Sequence, residues 1–184
     1  MWPERGKMLN VGEPLPAFRV NAFHPGNAQS PFAPVSNEDL RGQWAVLFSV
    51  PFAFTTVCPT EVAQFAAQAA EFAQRGARLF MFSMDSEYVL QAWLAHEPLL
   101  RGVQFACLAD FKRELSTALD VVHKGEGCPL RATLVVDPDG VVRHTSCYDL
   151  NQGRSVHEVL RTLDALQSGG MTACEWKRGD KLLH

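Results

Sequence analysis

Cys58 lies in residues 49–76, SVPFAFTTVCPTEVAQFAAQAAEFAQRG, between an apolar run and a proline that opens a helical pattern. A thiol at such a junction can be packing, a metal ligand, half of a structural disulfide, or a nucleophile. The thiolate is the reactive form, and a free cysteine with a pKa of ~8.5 is only about 3% ionised at neutral pH. Pro59 suits the first turn of a helix, where its missing N–H would have no partner anyway. Cys58 then sits beside free backbone donors and the positive end of the helix dipole. Thiols in such settings reach pKa values of ~3.5–7.5. Thr55, upstream, can offer a hydroxyl, and Pro51, further upstream, can shield a thiolate from water. Taken alone, a cysteine at a strand end is more often a small buried apolar residue.

The other four cysteines are Cys107, Cys128, Cys147 and Cys174. The total is odd, the spacing irregular, and there is no C-x-x-C pair and no Cys/His spacing suited to zinc. That disfavours a disulfide framework and a structural metal site. Cys107 and Cys147 fall in predicted strands and read as core or edge packing. Cys128, three residues before Arg131, reads as a bystander, although it could intercept an oxidised Cys58. His123, His144 and His157 share no ligand spacing and read as surface or loop residues.

The chain has 184 residues, 47% apolar and 20% charged, with a formal net charge of −3. This is a globular balance in a length suited to one domain. No basic stripe suits a phosphate backbone, so nucleic-acid binding is not expected. Residues 1–16 lack the apolar core of a secretory signal, and no stretch is long enough to span a membrane. A cytoplasmic protein with no membrane association is expected.

Several elements must position Cys58. The Pro-, Gly- and Asn-rich opening reads as loops with a small hairpin. SNEDLRGQ reads as a helical turn capped by Ser36. WAVLFSV, ARLFMFS and FACLA read as buried strands. One helix follows Cys58, with Val62, Phe65, Ala69 and Phe72 at helical spacing. Further helices are expected over residues 85–97, ended by Pro98, and over 112–120. RATLVVDPDGVVRHTSCY is a hairpin turning at Asp-Pro-Asp-Gly. A last helix presents Val156, Leu160, Leu163 and Leu166, and Trp93 reads as core. The order β-α-β-α-β-α-β-β-α predicts an α/β, thioredoxin-like arrangement, with helices flanking a central mixed sheet of parallel strands plus one antiparallel hairpin. In such sheets ligands bind beyond the carboxyl ends of the strands, and Cys58 lies just past one.

Pro51, Thr55, Cys58, Pro59, Thr60 and Glu61 form P-x-x-x-T-x-x-C-P-T-E, which resembles the active-site motif of the peroxiredoxins, in particular the peroxidatic subunit of bacterial alkyl hydroperoxide reductase. RATLVVDPDGVVRH, YDLNQGRSVHEVLRTLDALQ and CEWKRGDK extend the similarity from about Leu9 to Lys181. The resemblance implies a single domain over residues 1–184, with residues 168–184 as a tail. It implies a thiol-dependent peroxidase, without metal, haem or flavin of its own, acting on hydrogen peroxide and organic hydroperoxides. Cys58 would be the peroxidatic cysteine, becoming a sulfenic acid. Arg131 would stabilise the thiolate and polarise the peroxide, Thr55 would donate to the peroxide, and Pro51 would limit access. Cys174 would be the resolving cysteine, reaching Cys58 of a partner subunit in a homodimer and a ring of dimers. The resulting disulfide would be reduced by a flavoprotein disulfide reductase, thioredoxin or a small dithiol protein.

Ala173-Cys174-Glu175-Trp176 is more compact than the family's common Val-Cys-Pro tail. GEGCPLRAT replaces the Gly-Gly-Leu-Gly segment of peroxide-sensitive members, so relative resistance to overoxidation is expected. A disulfide oxidoreductase is disfavoured by the missing C-x-x-C. A holdase chaperone or peroxide sensor on the same scaffold is the alternative.

Overall fold

The computed structural model describes residues 11–183. The reading of residues 1–10 as free of a signal core, and the start of the resemblance near Leu9, therefore lie outside the described residues. The apolar run at residues 44–50 becomes β3 (Trp44–Ser49), a middle strand of a seven-stranded sheet. Successive side chains on a strand alternate between faces, so β3 feeds two cores at once. Val46 and Phe48 enter one apolar cluster, Ala45 and Leu47 the other.

The remaining strands are β1 (Arg19–Phe23), β2 (Phe32–Ser36), β4 (Ala77–Ser83), β5 (Ala106–Ala109), β6 (Arg131–Val136) and β7 (Val142–Tyr148). They lie in the order β2-β1-β5-β4-β3-β6-β7. β3, β4 and β5 run parallel, and β1 and β6 are antiparallel to their inner neighbours. The fold is thioredoxin-like with a mixed sheet, but it carries two antiparallel hairpins, β1–β2 and β6–β7, where the pattern predicted one within the sheet. The first is hard to see because β2 contains Pro34, and only Val35 of that strand is fully buried. A proline cannot donate to a sheet ladder, which confines such a strand to an edge, and β2 is an edge.

The helix after Cys58 is interrupted. α1 (Cys58–Ala67) and α2 (Ala69–Gln74) meet at Gln68, whose φ of −99° and ψ of 5° leave the helical region. The apolar spacing runs through the break unchanged: Val62, Phe65 and Phe72 are all fully buried. Phe48 and Phe65 stack with centroids 3.8 Å apart, fixing α1 on the sheet. α3 (Glu87–His96) begins at Ser86, whose hydroxyl accepts from the Val89 N–H, and α4 (Glu114–Ala118) is short. Trp93 is 1% exposed, as expected for core. The turn at Asn37–Leu40 has the expected capping box, with Asp39 reaching back to Ser36.

α5 (Val156–Gln167) is capped by Ser155 and packs Val156, Val159, Leu160 and Leu163 inward. The chain then folds back on it. Trp176 is buried, its indole N–H donates to the Asp180 carbonyl, and Arg161 donates to the Trp176 carbonyl. A β-bridge between Met171 and Leu183 closes this segment. No helix among the described residues is long and apolar enough to cross a membrane.

Truncating Phe65 removes the ring that stacks on β3. Phe65→Ala is expected to cost about 3–5 kcal/mol of stability, measured by urea unfolding. A loss under about 1 kcal/mol, the scale of a volume-conserving swap, would show that α1 is held by something other than this stack.

Candidate active site

β3 ends at Ser49, and the loop 50–57 carries the chain across the end of the sheet to α1. Val57 is the N-cap and Cys58 opens the helix with Pro59. Cys58, Glu61, Val62 and Phe65 are all buried, the i, i+3, i+4, i+7 stripe of a helix face that meets a core. The same periodicity that packs α1 thus turns a thiol and a carboxylate inward together.

Two arginines receive them. The Arg131 Nη1 donates to the Cys58 Sγ at 3.5 Å and to a Glu61 carboxylate oxygen at 2.6 Å. Its Nε donates to the Leu150 carbonyl at 2.7 Å, fixing the guanidinium plane from the other side. Arg154, just before α5, donates its backbone N–H and its Nε to the other Glu61 oxygen at 2.9 and 2.8 Å. Its remaining nitrogens donate to the Ser49 and Ala132 carbonyls, both at 2.7 Å. One side chain therefore ties together the ends of β3 and β6 and the first turn of α1. The guanidinium also lies over the Phe48 and Phe65 rings, at 5.5 and 5.8 Å.

Each of these charged side chains is nearly inaccessible, at 4% for Arg131, 2% for Glu61 and 1% for Arg154. Burial alone would raise the Glu61 pKa, but the hydrogen bonds and charge of Arg154, joined by Arg131, outweigh it and hold the carboxyl below its ordinary range.

Of the five residues singled out from the sequence, four converge. Pro51, Thr55 and Arg131 line one cavity of about 520 Å³, with Cys58 fully buried behind it. Thr55 is exposed, and its hydroxyl donates to the Phe52 carbonyl at 3.1 Å rather than toward the sulfur. That bond folds the loop back on itself. The loop is also held from behind, where Asp85 accepts from the Ala53 N–H at 2.7 Å and from Ser83. Phe54 beside it adopts a positive φ of 58°.

Cys174 lies elsewhere. It is exposed in the tail, in a cavity of about 510 Å³ along α5 that also includes Arg161 and Glu175. That cavity shares no residue with the first. Cys107 is fully buried in the core, where burial pushes its thiol far up, and Cys147 is on the edge strand β7. His157 is exposed on α5 and His144 lies in β7. His123 lies in a loop, as expected, and lines the Cys58 cavity half-buried, whereas His144, half-buried in β7, departs from the surface-or-loop reading. Among the described residues no group of His, Cys, Asp or Glu is assembled to hold a metal ion.

Glu61 and Arg154 are the residues that sequence reasoning left without a role. Glu61 could have been found from its i+3 spacing to Cys58. Arg154 gives no local signal, since its partners are 21 to 105 residues away in the chain.

The chain is similar over most of its length to known proteins. A family model described as the AhpC/TSA family matches residues 11–145. A protein named "Putative peroxiredoxin in rubredoxin operon" from Clostridium pasteurianum is 39% identical over 173 residues, covering 92% of this chain and 96% of that one. Alkyl hydroperoxide reductase C of Mycobacterium tuberculosis is 38% identical, covering 96% and 94%. Among solved structures, Mycobacterium tuberculosis AhpC aligns with a TM-score of 0.83 at 37% identity, covering 93% of this chain and all of that one. A reduced two-cysteine peroxiredoxin of Plasmodium vivax aligns at 0.86 and 29%, covering 94% and 91%.

The charge network sets a pH dependence. A carboxyl whose folded pKa is depressed adds stability above its unfolded value of about 4.3, and that stability is lost as pH falls through the folded value. Glu61→Gln is expected to cost about 3–5 kcal/mol at neutral pH, because it leaves buried cations unpaired. The gap to wild type should narrow as pH falls below about 4. Denaturant unfolding of both proteins across pH measures this. A gap independent of pH would show that Glu61 is not the ionised partner.

Proposed function

The chain belongs to the AhpC/TSA family of peroxiredoxins and is a thiol-dependent peroxidase, and from that premise we propose that Cys58 is the peroxidatic cysteine and Cys174 the resolving one. The observation that carries the first assignment is the Arg131 guanidinium 3.5 Å from the Cys58 sulfur, at the back of a cavity walled by Pro51 and Thr55. The Cys58 thiolate attacks the terminal oxygen of the peroxide, the O–O bond breaks, and the released oxygen takes a proton to leave as water or an alcohol. The sulfur, oxidised by two electrons, becomes a sulfenic acid.

Displacement at oxygen needs an in-line approach and a cation where negative charge develops. Arg131 supplies that cation already fixed at three of its bonds, so little reorganisation is required. Pro51 walls the approach. Thr55 can donate to a peroxide only by giving up its bond to the Phe52 carbonyl, so substrate entry and loop conformation are linked in this reading.

Cys174 is exposed, on a separate face from Cys58, which favours its serving another subunit over its own. The disulfide would then join two chains, in a homodimer and a ring of dimers in the cytoplasm. An external dithiol protein would reduce it, whether a flavoprotein disulfide reductase, thioredoxin or a small dithiol carrier. Hydrogen peroxide and organic hydroperoxides are the proposed substrates. Residues 1–184 act in this reading as one catalytic domain, whose tail, 168–184, carries the resolving thiol. The chaperone alternative is not favoured, since nothing in the site requires it.

Cys58→Ser is expected to abolish both stoichiometric peroxide consumption and the covalent dimer on a non-reducing gel. Cys174→Ser should remove the dimer and spare the first turnover. Peroxide consumption by Cys58→Ser at the wild-type rate would overturn the assignment. Stepwise peroxide titration with mass spectrometry should give sulfinic Cys58 only at large excess; its formation near stoichiometric peroxide would overturn the expected resistance.

A further inference from the structure

The cavity in front of Cys58 has another thiol, Cys128, in its wall. Val122 and Pro129 form an antiparallel bridge, the Leu130 N–H donates to the Val121 carbonyl, and the His123 N–H donates to the Cys128 carbonyl, both at 2.7 Å. Residues 121–130 are thus a narrow hairpin in which His123 stands opposite Cys128. Opposed residues of an antiparallel pair project to the same face, and both line the cavity with Pro51, Thr55 and Arg131. The returning strand is clamped, because the Ser49 hydroxyl donates to the Leu130 carbonyl at 2.6 Å. Arg131 follows directly, with its guanidinium on the Cys58 sulfur.

We propose that Cys128 is an intrasubunit resolving thiol, able to condense with the Cys58 sulfenic acid when Cys174 does not reach it; this rests on Cys58 being the peroxidatic cysteine. The step balances. The Cys128 sulfur attacks the Cys58 sulfur, the S–OH bond breaks, and the hydroxyl leaves as water with the Cys128 proton. The product is a Cys58–Cys128 disulfide, and the oxidising equivalents are those of the peroxide. His123 is not the base. Its Nδ1 accepts from the N–H groups of Gly125 and Glu126, so the neutral ring keeps its proton on Nε2.

The electrostatics give this step an order. Burial raises the Cys128 pKa, the Glu126 carboxylate and an anionic Cys58 raise it further, and Arg131 acts in the opposite direction. A thiolate at Cys58 therefore discourages a second thiolate beside it. Once Cys58 is a neutral sulfenic acid, that repulsion is gone and Arg131 remains. Both thiols are free in the folded site. A disulfide needs Cα atoms about 4.4–6.8 Å apart; Cys58 opens α1 and is fully buried, and loosening of that first turn would let it meet this range.

The test uses full-length Cys174→Ser with one equivalent of hydrogen peroxide, with and without dimedone, followed by peptide mapping. The expected product is a monomer on a non-reducing gel, lighter by two hydrogens, that yields a cross-linked Cys58–Cys128 peptide. Adding Cys128→Ala should lengthen the life of dimedone-reactive Cys58 by about tenfold or more, with the melting temperatures of both variants compared. A Cys174→Ser protein whose Cys58 traps dimedone persistently while Cys128 still alkylates would overturn the proposal and leave the peroxidatic assignment standing. No oxidation at Cys58 in any sample would overturn both.

Discussion

Two cations and one carboxylate are buried together at the end of the sheet, and that imbalance governs the rest of the site. Arg131 and Arg154 share Glu61, which leaves the trio with a net positive charge. Burying ions is costly unless their hydrogen bonds are satisfied. Here the surplus guanidinium nitrogens bind the carbonyls of Ser49, Ala132 and Leu150. The remaining charge faces the Cys58 sulfur, which accepts a hydrogen bond from Arg131. The Cys58 thiol is then a structural member of the network, whatever chemistry it performs.

This explains why the machinery is spread over four elements. α1 supplies Cys58 and Glu61 on one face, β6 begins with Arg131, the residue before the α5 cap is Arg154, and β3 lends its terminal carbonyl. Arg154 is at once a structural clamp and an electrostatic partner, and its flat cation on Phe48 and Phe65 joins the polar network to the apolar core. The site and the core cannot be perturbed independently.

What could be read from the sequence follows the range of the forces involved. The buried strands, the capped helices and the turn at Asp-Pro-Asp-Gly depend on neighbours within a few residues, and they appear where the pattern places them. The Pro51, Thr55 and Cys58 spacing was legible because one short stretch carries all three, whereas Arg131 was placed through the family resemblance. The β1–β2 hairpin was faint, since an edge strand with a proline and mixed burial has little alternation to detect. The break at Gln68 left the apolar spacing intact and so left no trace in it. Arg154 answers to carbonyls on two distant strands, and no local pattern encodes that. Thr55 shows the limit at the level of one hydroxyl: its position was readable, its partner was not.

The folded-back tail carries a consequence for timing. Cys174 sits between the Met171–Leu183 bridge and the buried Trp176, on a segment fastened at both ends. If Cys174 serves another subunit, as proposed, that segment must come undone, and the waiting time of an oxidised Cys58 then depends on how tightly the tail is fastened. In that reading the protein's tolerance of a peroxide burst depends on a stretch of chain whose cavity shares no residue with the one beside Cys58. Variation in the fastening alone could retune that tolerance while the catalytic residues stay fixed.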